Sequence, residues 1–252
     1  MTYTDRELMV IAAAREIGDG ELIFVGMRLP LLAFALAKRT HAPRALGLFE
    51  NGIVRESPAP ETPFTMSDPP NIAGALWSTT TGNIMALLQQ GLVDMGFIGG
   101  AEVDRYGNLN TSYIGDWRRP KVKLPGSGGG GDIASLAKRF VIIMPQEKHR
   151  FRERVDYITS PGHGDGRDWR RKVGLRGGGP SALITTLGVF RFHPETKEAY
   201  LASFHPGQTV DSVRAQTGWD LKVAGDAGPT PEPTAAELDI VRTSDPEGFW
   251  TR

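Results

Sequence analysis

Residues 5–49 alternate between two hydrophobic periods, and that alternation limits the fold more than any other feature. Leu8, Ile11 and Ala12 recur at helical spacing behind Thr4-Asp5-Arg6-Glu7, which has the spacing of a capping box, until Gly18 and Gly20 break the pattern. The apolar run ELIFV (21–25) ends at Gly26, LLAFALAKR (31–39) returns to the helical period after Pro30, and ALGLF (45–49) is apolar again. Helix, strand, helix, strand is the order that builds a parallel sheet, because parallel neighbours need a crossover between them. In such sheets ligands gather beyond the carboxyl ends of the strands. The residue in that position after the second strand is Glu50.

The surrounding stretch, LGLFENGIVRESP (46–58), places a carboxylate at the end of a buried strand and turns the chain at once through Asn51-Gly52. A carboxylate in such a place is costly unless it is solvated, paired or used. Glu50 therefore reads either as a solvated strand end or as a group placed to react.

Further along, residues 56–71 carry five prolines and read as an irregular loop, followed by a helix near 83–90 and a strand at 95–98. AEVDRYGNLNTSYI (101–114) resembles a hairpin around Tyr106-Gly107-Asn108. PGSGGGGDIA (125–134) leads into a helix over 132–138, and FVIIM (140–144) is the most strand-like segment of the chain. Residues 183–186, 189–193 and 199–204 suggest a small antiparallel set, 209–216 a short helix, 228–233 a proline-rich tail and 234–242 a capped helix. No repeat and no linker interrupts this order. The expectation is one domain over 1–252 of class α/β, with an open, mostly parallel sheet flanked by helices.

Composition removes several functions. Lys and Arg number 29 against 29 Asp and Glu, so no net field favours nucleic acid or an anionic membrane. The absence of cysteine excludes disulfides, thiolate catalysis and cysteine-ligated metals, and is compatible with a reducing cytosol. No run of about 18 apolar residues is present, and the N-terminus lacks the apolar core of a signal peptide, so a soluble, cytoplasmic protein is expected. The histidines show no metal-ligand spacing. Gly126, Gly128 and Gly131 fit G-x-G-x-x-G with Glu147 downstream, but that fingerprint needs an apolar strand before it, and RRPKVKLP (118–125) is basic and broken by proline. No Gly-Lys-Ser/Thr ends the run, and Gly126-Ser127-Gly128 lacks the spacing of a serine nucleophile elbow. Two readings of the glycines remain, an anion or oxyanion site of backbone N–H groups ahead of a helix, or a flexible surface loop. RDWRRKVGLR (167–176) reads as a solvated face or an interface rather than a nucleic-acid grip.

Taken in order, a strand ending in Glu-x-Gly, IGGAEVDRYGNLN (98–110), GSGGGGDIA (126–134), and a strand followed by QEKHRF (146–151) and VDYITSPG (155–162) closely resemble the B (β) subunit of class I CoA-transferases of the glutaconate type. VGMRLPLLAFALAKRTHAP (25–43), HPG (205–207) and TGWDL (217–221) extend the likeness over essentially the whole chain. The resemblance implies the CoA-transferase (NagB/RpiA-like) fold. It also implies a subunit that moves CoA between an acyl-CoA, of a glutaconate-like dicarboxylate or a 3-oxoacid, and a carboxylate acceptor.

By the same resemblance Glu50 is the nucleophile. It attacks the thioester carbonyl and becomes an acyl-glutamyl anhydride as CoA thiolate leaves; the thiolate returns to give a glutamyl-CoA thioester, which the acceptor carboxylate then attacks. Asn51 and Gly52 would hold Glu50 exposed on a tight turn. The backbone of Gly128, Gly129, Gly130 and Gly131, with donors from an A (α) subunit, would meet the oxyanion, and Gly99, Gly100 and Glu102 would lie on the segment facing the site. The implied assembly is a heterotetramer or heterooctamer with that A subunit. The CoA thioester is a substrate rather than a resident cofactor, and no metal is expected. Arg55 departs from the fuller pattern, which often continues to a further glycine. Relatives on this scaffold include ring-opening thioester hydrolases and decarboxylases in which the glutamate is typically replaced. Retention of Glu50 favours transfer, with the hydrolase or decarboxylase as the alternative, and a binding module or a Rossmann-type dehydrogenase as readings from other classes.

Overall fold

A computed structural model of the chain describes residues 2–252. The first elements are α1 (Asp5–Ala14), β1 (Leu22–Phe24), α2 (Leu29–Arg39), β2 (Leu46–Phe49), β3 (Ile53–Arg55), α3 (Pro69–Ile72), β4 (Trp77–Ser78), α4 (Thr81–Gln89) and β5 (Met95–Ile98). Next come β6 (Glu102–Asp104), β7 (Leu109–Asn110), β8 (Tyr113–Ile114), β9 (Val122–Lys123), α5 (Gly130–Leu136), β10 (Arg139–Ile143), β11 (Phe151–Arg152) and α6 (Trp169–Lys172). The chain ends with β12 (Pro180–Ile184), β13 (Gly188–Phe192), β14 (Ala199–Phe204), α7 (Val210–Ala215), β15 (Lys222–Pro229) and α8 (Ala235–Ser244). These elements form two compact units, one running to Phe97 and including Glu232–Arg252, the other Ile98–Pro231. The division falls inside β5 rather than at a linker, which is why composition gives no sign of it.

In the first unit the sheet runs β5-β1-β2-β3-β4, with β1 parallel to both β2 and β5, β3 antiparallel to β2, and β4 antiparallel to β3 at the edge. This is the α/β arrangement that the hydrophobic periods predict. Phe34 of α2 lies over Gly47 of β2, where an added Cβ would sit 2.9 Å from the ring, so only glycine admits the helix this close to the strand. Phe24, Phe34, Leu48 and Phe49 are buried in this layer.

Two capping boxes are linked across helices. Thr4 and Glu7 cap α1, Thr234 and Glu237 cap α8, and each glutamate also takes an arginine from the other end of the neighbouring helix. Arg242 Nε lies 2.7 Å from Glu7 and Arg15 3.0 Å from Glu237. Burial opposes the ionisation of both carboxyls, yet the arginine and capping bonds outweigh it and hold each below its usual value.

In the second unit the sheet runs β15-β14-β13-β12-β10, parallel at β10–β12 and β14–β15 and antiparallel between. The antiparallel set expected from the sequence is β12 to β14. The hairpin β6–β7 closes around residues 105–108, as expected, and adds β11 as a third strand. Two expectations shift. The helix after the glycines begins at Gly130 rather than 132, and part of the expected proline-rich tail belongs to β15, whose KVAGDAGP carries no apolar alternation to announce a strand.

The basic stretch 167–176 resolves in favour of a structural role at one residue. Arg170 turns inward and donates to the carbonyls of Gly177, Pro161, Gly162 and Ala134. Burial lowers its guanidinium to about 10. Replacing Arg170 by Met would strand those carbonyls away from water and is expected to lower unfolding stability by roughly 3 kcal/mol, read from urea denaturation midpoints at constant m-value.

Candidate active site

Glu50 is half-buried directly beyond the last residue of β2. The turn that follows is closed by Gly52 N donating to Phe49 O at 3.0 Å, and Gly52 has φ +104°. An added Cβ there would lie 2.2 Å from the Thr79 carbonyl oxygen, while Thr79 N donates to Gly52 O at 2.8 Å. Both the dihedral and the space demand glycine. Asn51 fastens the turn to the loop ahead of α3 through Nδ2 donating to Met66 O at 2.6 Å, and Asn71 Nδ2 donates to the same oxygen at 2.8 Å.

Arg55, the departure from the sequence pattern, is 2% exposed. Its guanidinium donates to the carbonyls of Ser57, Asn71 and Ala73 and gathers the proline-rich loop beneath β3. Desolvation lowers its pKa. The backbone of the Glu50 turn is thus braced on two sides by side chains that donate to loop carbonyls.

The remaining sequence-derived residues belong to the second unit. Glu102 is 3% exposed and accepts from Asn110 Nδ2 at 2.7 Å and Asp156 N at 3.0 Å, so its carboxylate ties the hairpin to the segment after β11. Gly100 packs against Leu109, and Gly99 against the Ile143 carbonyl. Gly128 is exposed and Gly129 buried, while Gly130 and Gly131 open α5. Gly130 faces the Ser160 hydroxyl, Gly131 the Thr159 carbonyl, and Ser160 pairs with Leu109 through its backbone, so β7 draws the glycine run and the hairpin together. Glu50, Asn51 and Gly52 belong to the first unit. Among the described residues no group of three His, Asp or Glu side chains is placed to hold a metal ion.

Sequence reasoning missed a buried polar knot at the hairpin turn. Asp104 accepts from Tyr106 N, Asn108 N and Asn108 Nδ2, and Asn108 Oδ1 accepts from Gly162 N and Gly164 N at 2.9 and 3.0 Å. Burial pushes the Asp104 carboxyl up to about 6 against the pull of these donors. His163, in the same loop, has Nε2 3.2 Å from Pro180 O, and burial lowers its pKa to about 4. The turn residues of RYGN marked the hairpin, but nothing in their spacing showed that Asp104 and His163 are buried.

A family model described as Coenzyme A transferase matches residues 6–216. The chain belongs to the coenzyme A transferase family. It is 40% identical over 241 residues to the B subunit of the 3-oxoadipate CoA-transferase of Pseudomonas knackmussii, covering 95% of this chain and 92% of that protein. It is 37% identical over 228 residues to the B subunit of the glutaconate CoA-transferase of Acidaminococcus fermentans, covering 88% of this chain and 85% of that one. The crystal structure of glutaconate coenzyme A-transferase from the same organism superposes with a TM-score of 0.93 at 32% identity, over 100% of this chain and 98% of that one. The fold expected of a coenzyme A transferase is therefore the fold observed.

Two stability measurements bear on this coenzyme A transferase. Gly52→Ala is expected to lower unfolding stability by roughly 3 kcal/mol, since backbone strain and contact with the Thr79 carbonyl add together, and the urea midpoint reads it. His163 sets a pH dependence. Between its ordinary 6.5 and about 4 the unfolded chain binds a proton that the folded chain refuses, so stability falls as pH drops across that window. Asp104 acts oppositely, because between 3.8 and about 6 the folded chain keeps a proton that the unfolded chain has lost. From pH 7 to about pH 4.5 the unaltered chain is expected to lose about 2 to 3 kcal/mol more than His163→Gln, measured by urea denaturation at both values.

Proposed function

We propose that this chain is the B subunit of a heteromeric CoA-transferase and that Glu50 is its nucleophile. The reading is carried by the placement of Glu50, half-buried at the carboxyl end of a parallel strand on a turn that Gly52 and Thr79 leave no room to relax. A carboxylate is a weak nucleophile in water. Partial burial removes some of its hydration, and a fixed turn removes the cost of orienting it.

In the proposed cycle a Glu50 oxygen attacks the acyl-CoA carbonyl, the carbon–sulfur bond breaks, and CoA thiolate leaves an acyl-glutamyl anhydride. Thiolate then attacks the glutamyl carbonyl of that anhydride, releasing the first carboxylate and forming the glutamyl-CoA thioester. The acceptor carboxylate attacks that thioester, thiolate leaves again, and its return to the acceptor's acyl carbon frees Glu50. No proton or electron needs a further carrier. The CoA thioester enters as substrate, and no resident cofactor is required. Gly99, Gly100, Glu102 and Gly128 to Gly131 enter this proposal through the family resemblance, with an A subunit completing a heterotetramer or heterooctamer.

The acyl group is taken to be a glutaconate-like dicarboxylate or a 3-oxoacid, the class named for the two relatives above. Those names, at 37% and 40% identity over most of the chain, favour transfer over the hydrolase and decarboxylase alternatives. Glu50→Gln keeps the shape of the side chain and removes its charge. In the complex with the A subunit it is expected to lower transfer at least about a thousandfold with an unchanged unfolding midpoint. Transfer that survives the substitution would refute the assignment.

A further inference from the structure

Arg28 follows the carboxyl end of β1 with φ 69° and ψ −126°, a backbone region that glycine enters freely and arginine enters under strain. The backbone itself has no use for the side chain. Arg28 is the N-cap of α2 and makes no side-chain capping bond, a position where glycine is also well accepted. An arginine kept where glycine would suit the chain better on both counts calls for a role in its side chain.

That side chain is exposed, has no ion-pair partner among the described residues, and holds its guanidinium 5.4 Å over the Trp250 ring. Trp250 meets Phe249 edge to face at 4.4 Å, and Phe249 meets Phe64 at 4.9 Å. Phe64 and Phe249 are 56% and 55% exposed. Trp250 Nε1 is buried and has no acceptor among the described residues. The cluster offers an unneutralised cation and an apolar wall but no acceptor.

Its place beside Glu50 follows from register. Leu22 pairs with Leu46 and Phe24 with Leu48, and Val25 N continues the ladder to Leu48 O, so Gly26 comes level with Glu50 and Arg28 lies just beyond. From the other side, the Asn51 bond to Met66 O holds the loop that carries Phe64 against the Glu50 turn.

We infer that Arg28 binds the free carboxylate of a dicarboxylic acyl group whose other carboxyl is activated at Glu50, while Phe64, Phe249 and Trp250 line the path of its carbon chain. This deepens the B-subunit reading and rests on it. The planar guanidinium fork suits a carboxylate bound through both oxygens. The phosphates of CoA carry the same charge, but the pantetheine arm sets them many bonds from the thioester carbon, whereas a short diacid ends within a few bonds of it.

The test uses the complete complex with its A subunit, one acyl-CoA donor, and two acceptors, the diacid glutarate and its monoacid counterpart pentanoate. Arg28→Gly is expected to lower the ratio of kcat/KM for glutarate over pentanoate roughly 10- to 100-fold. It should also raise the thermal midpoint by about 2 to 4 °C as strain is relieved. Arg28→Lys, which keeps the charge and loses the fork, should fall between. A ratio within about twofold of the unaltered complex would overturn the inference. So would a matched rise in the KM for acyl-CoA with both acceptors, which would place CoA phosphates on Arg28, or dissociation of the A subunit, which would make the aromatic cluster an intersubunit contact. Glu50→Gln removes transfer to both acceptors alike, so failure of the underlying reading shows itself as activity surviving in that variant, independently of Arg28.

Discussion

The turn after β2 has almost no conformational freedom, and the chemistry assigned to this chain depends on that. Gly52 sits at a dihedral closed to other residues, with the Thr79 carbonyl where a side chain would begin and the Thr79 N–H bonded to its own oxygen. Phe49 is fully buried on one side of the turn and β3 returns antiparallel on the other. Glu50 is therefore presented by scaffold rather than by a mobile loop. For a reaction that passes twice through a tetrahedral carbon on the same side chain, a fixed nucleophile avoids the cost of reorganisation at each step.

The surrounding loops are irregular, and their backbone polar groups are met by a few long side chains. Arg55 collects the carbonyls of Ser57, of Asn71 within α3 and of Ala73 just after it, Arg170 those of residues 161–162, 134 and 177, and Asn108 joins the hairpin turn to Gly162 and Gly164. In each case one side chain, donating from the arginines and accepting at Asn108 Oδ1, takes the place of a ladder of hydrogen bonds, which lets a loop rich in proline or glycine stay ordered without regular structure. Charge buried in this way is justified by the carbonyls it serves, and neither arginine is free to hold a ligand.

The sequence made legible whatever local chemistry determines. Helical spacing in 5–14 and 31–39, the Thr4–Glu7 and Thr234–Glu237 boxes, and the hairpin around Tyr106 to Asn108 appear where their residues indicate. Glu50 at the strand end was readable for the same reason. Elements fixed by long-range contact were not. β15 follows β14 through main-chain bonds with Gly, Ala and Asp in its strand, and β4 is a short edge strand with no period to detect. The inward turn of Arg55 and Arg170 depends on carbonyls brought from elsewhere in the chain, and the dihedral of Arg28 leaves no trace in composition. In the candidate site the strand-end carboxylate could be read from its neighbours and the role proposed for it from the family resemblance, whereas the cluster of Arg28 with Phe64, Phe249 and Trp250 required the fold.

The most direct measurement is peptide mass spectrometry on the complete complex trapped during turnover. Incubated with an acyl-CoA and borohydride, the peptide spanning residues 46–58 should carry its modification on Glu50, reduced from the thioester to the alcohol, and with hydroxylamine the same residue should become the hydroxamate. Transfer proceeding at full rate while Glu50 is recovered unmodified, or with the adduct on another carboxylate, would contradict the account.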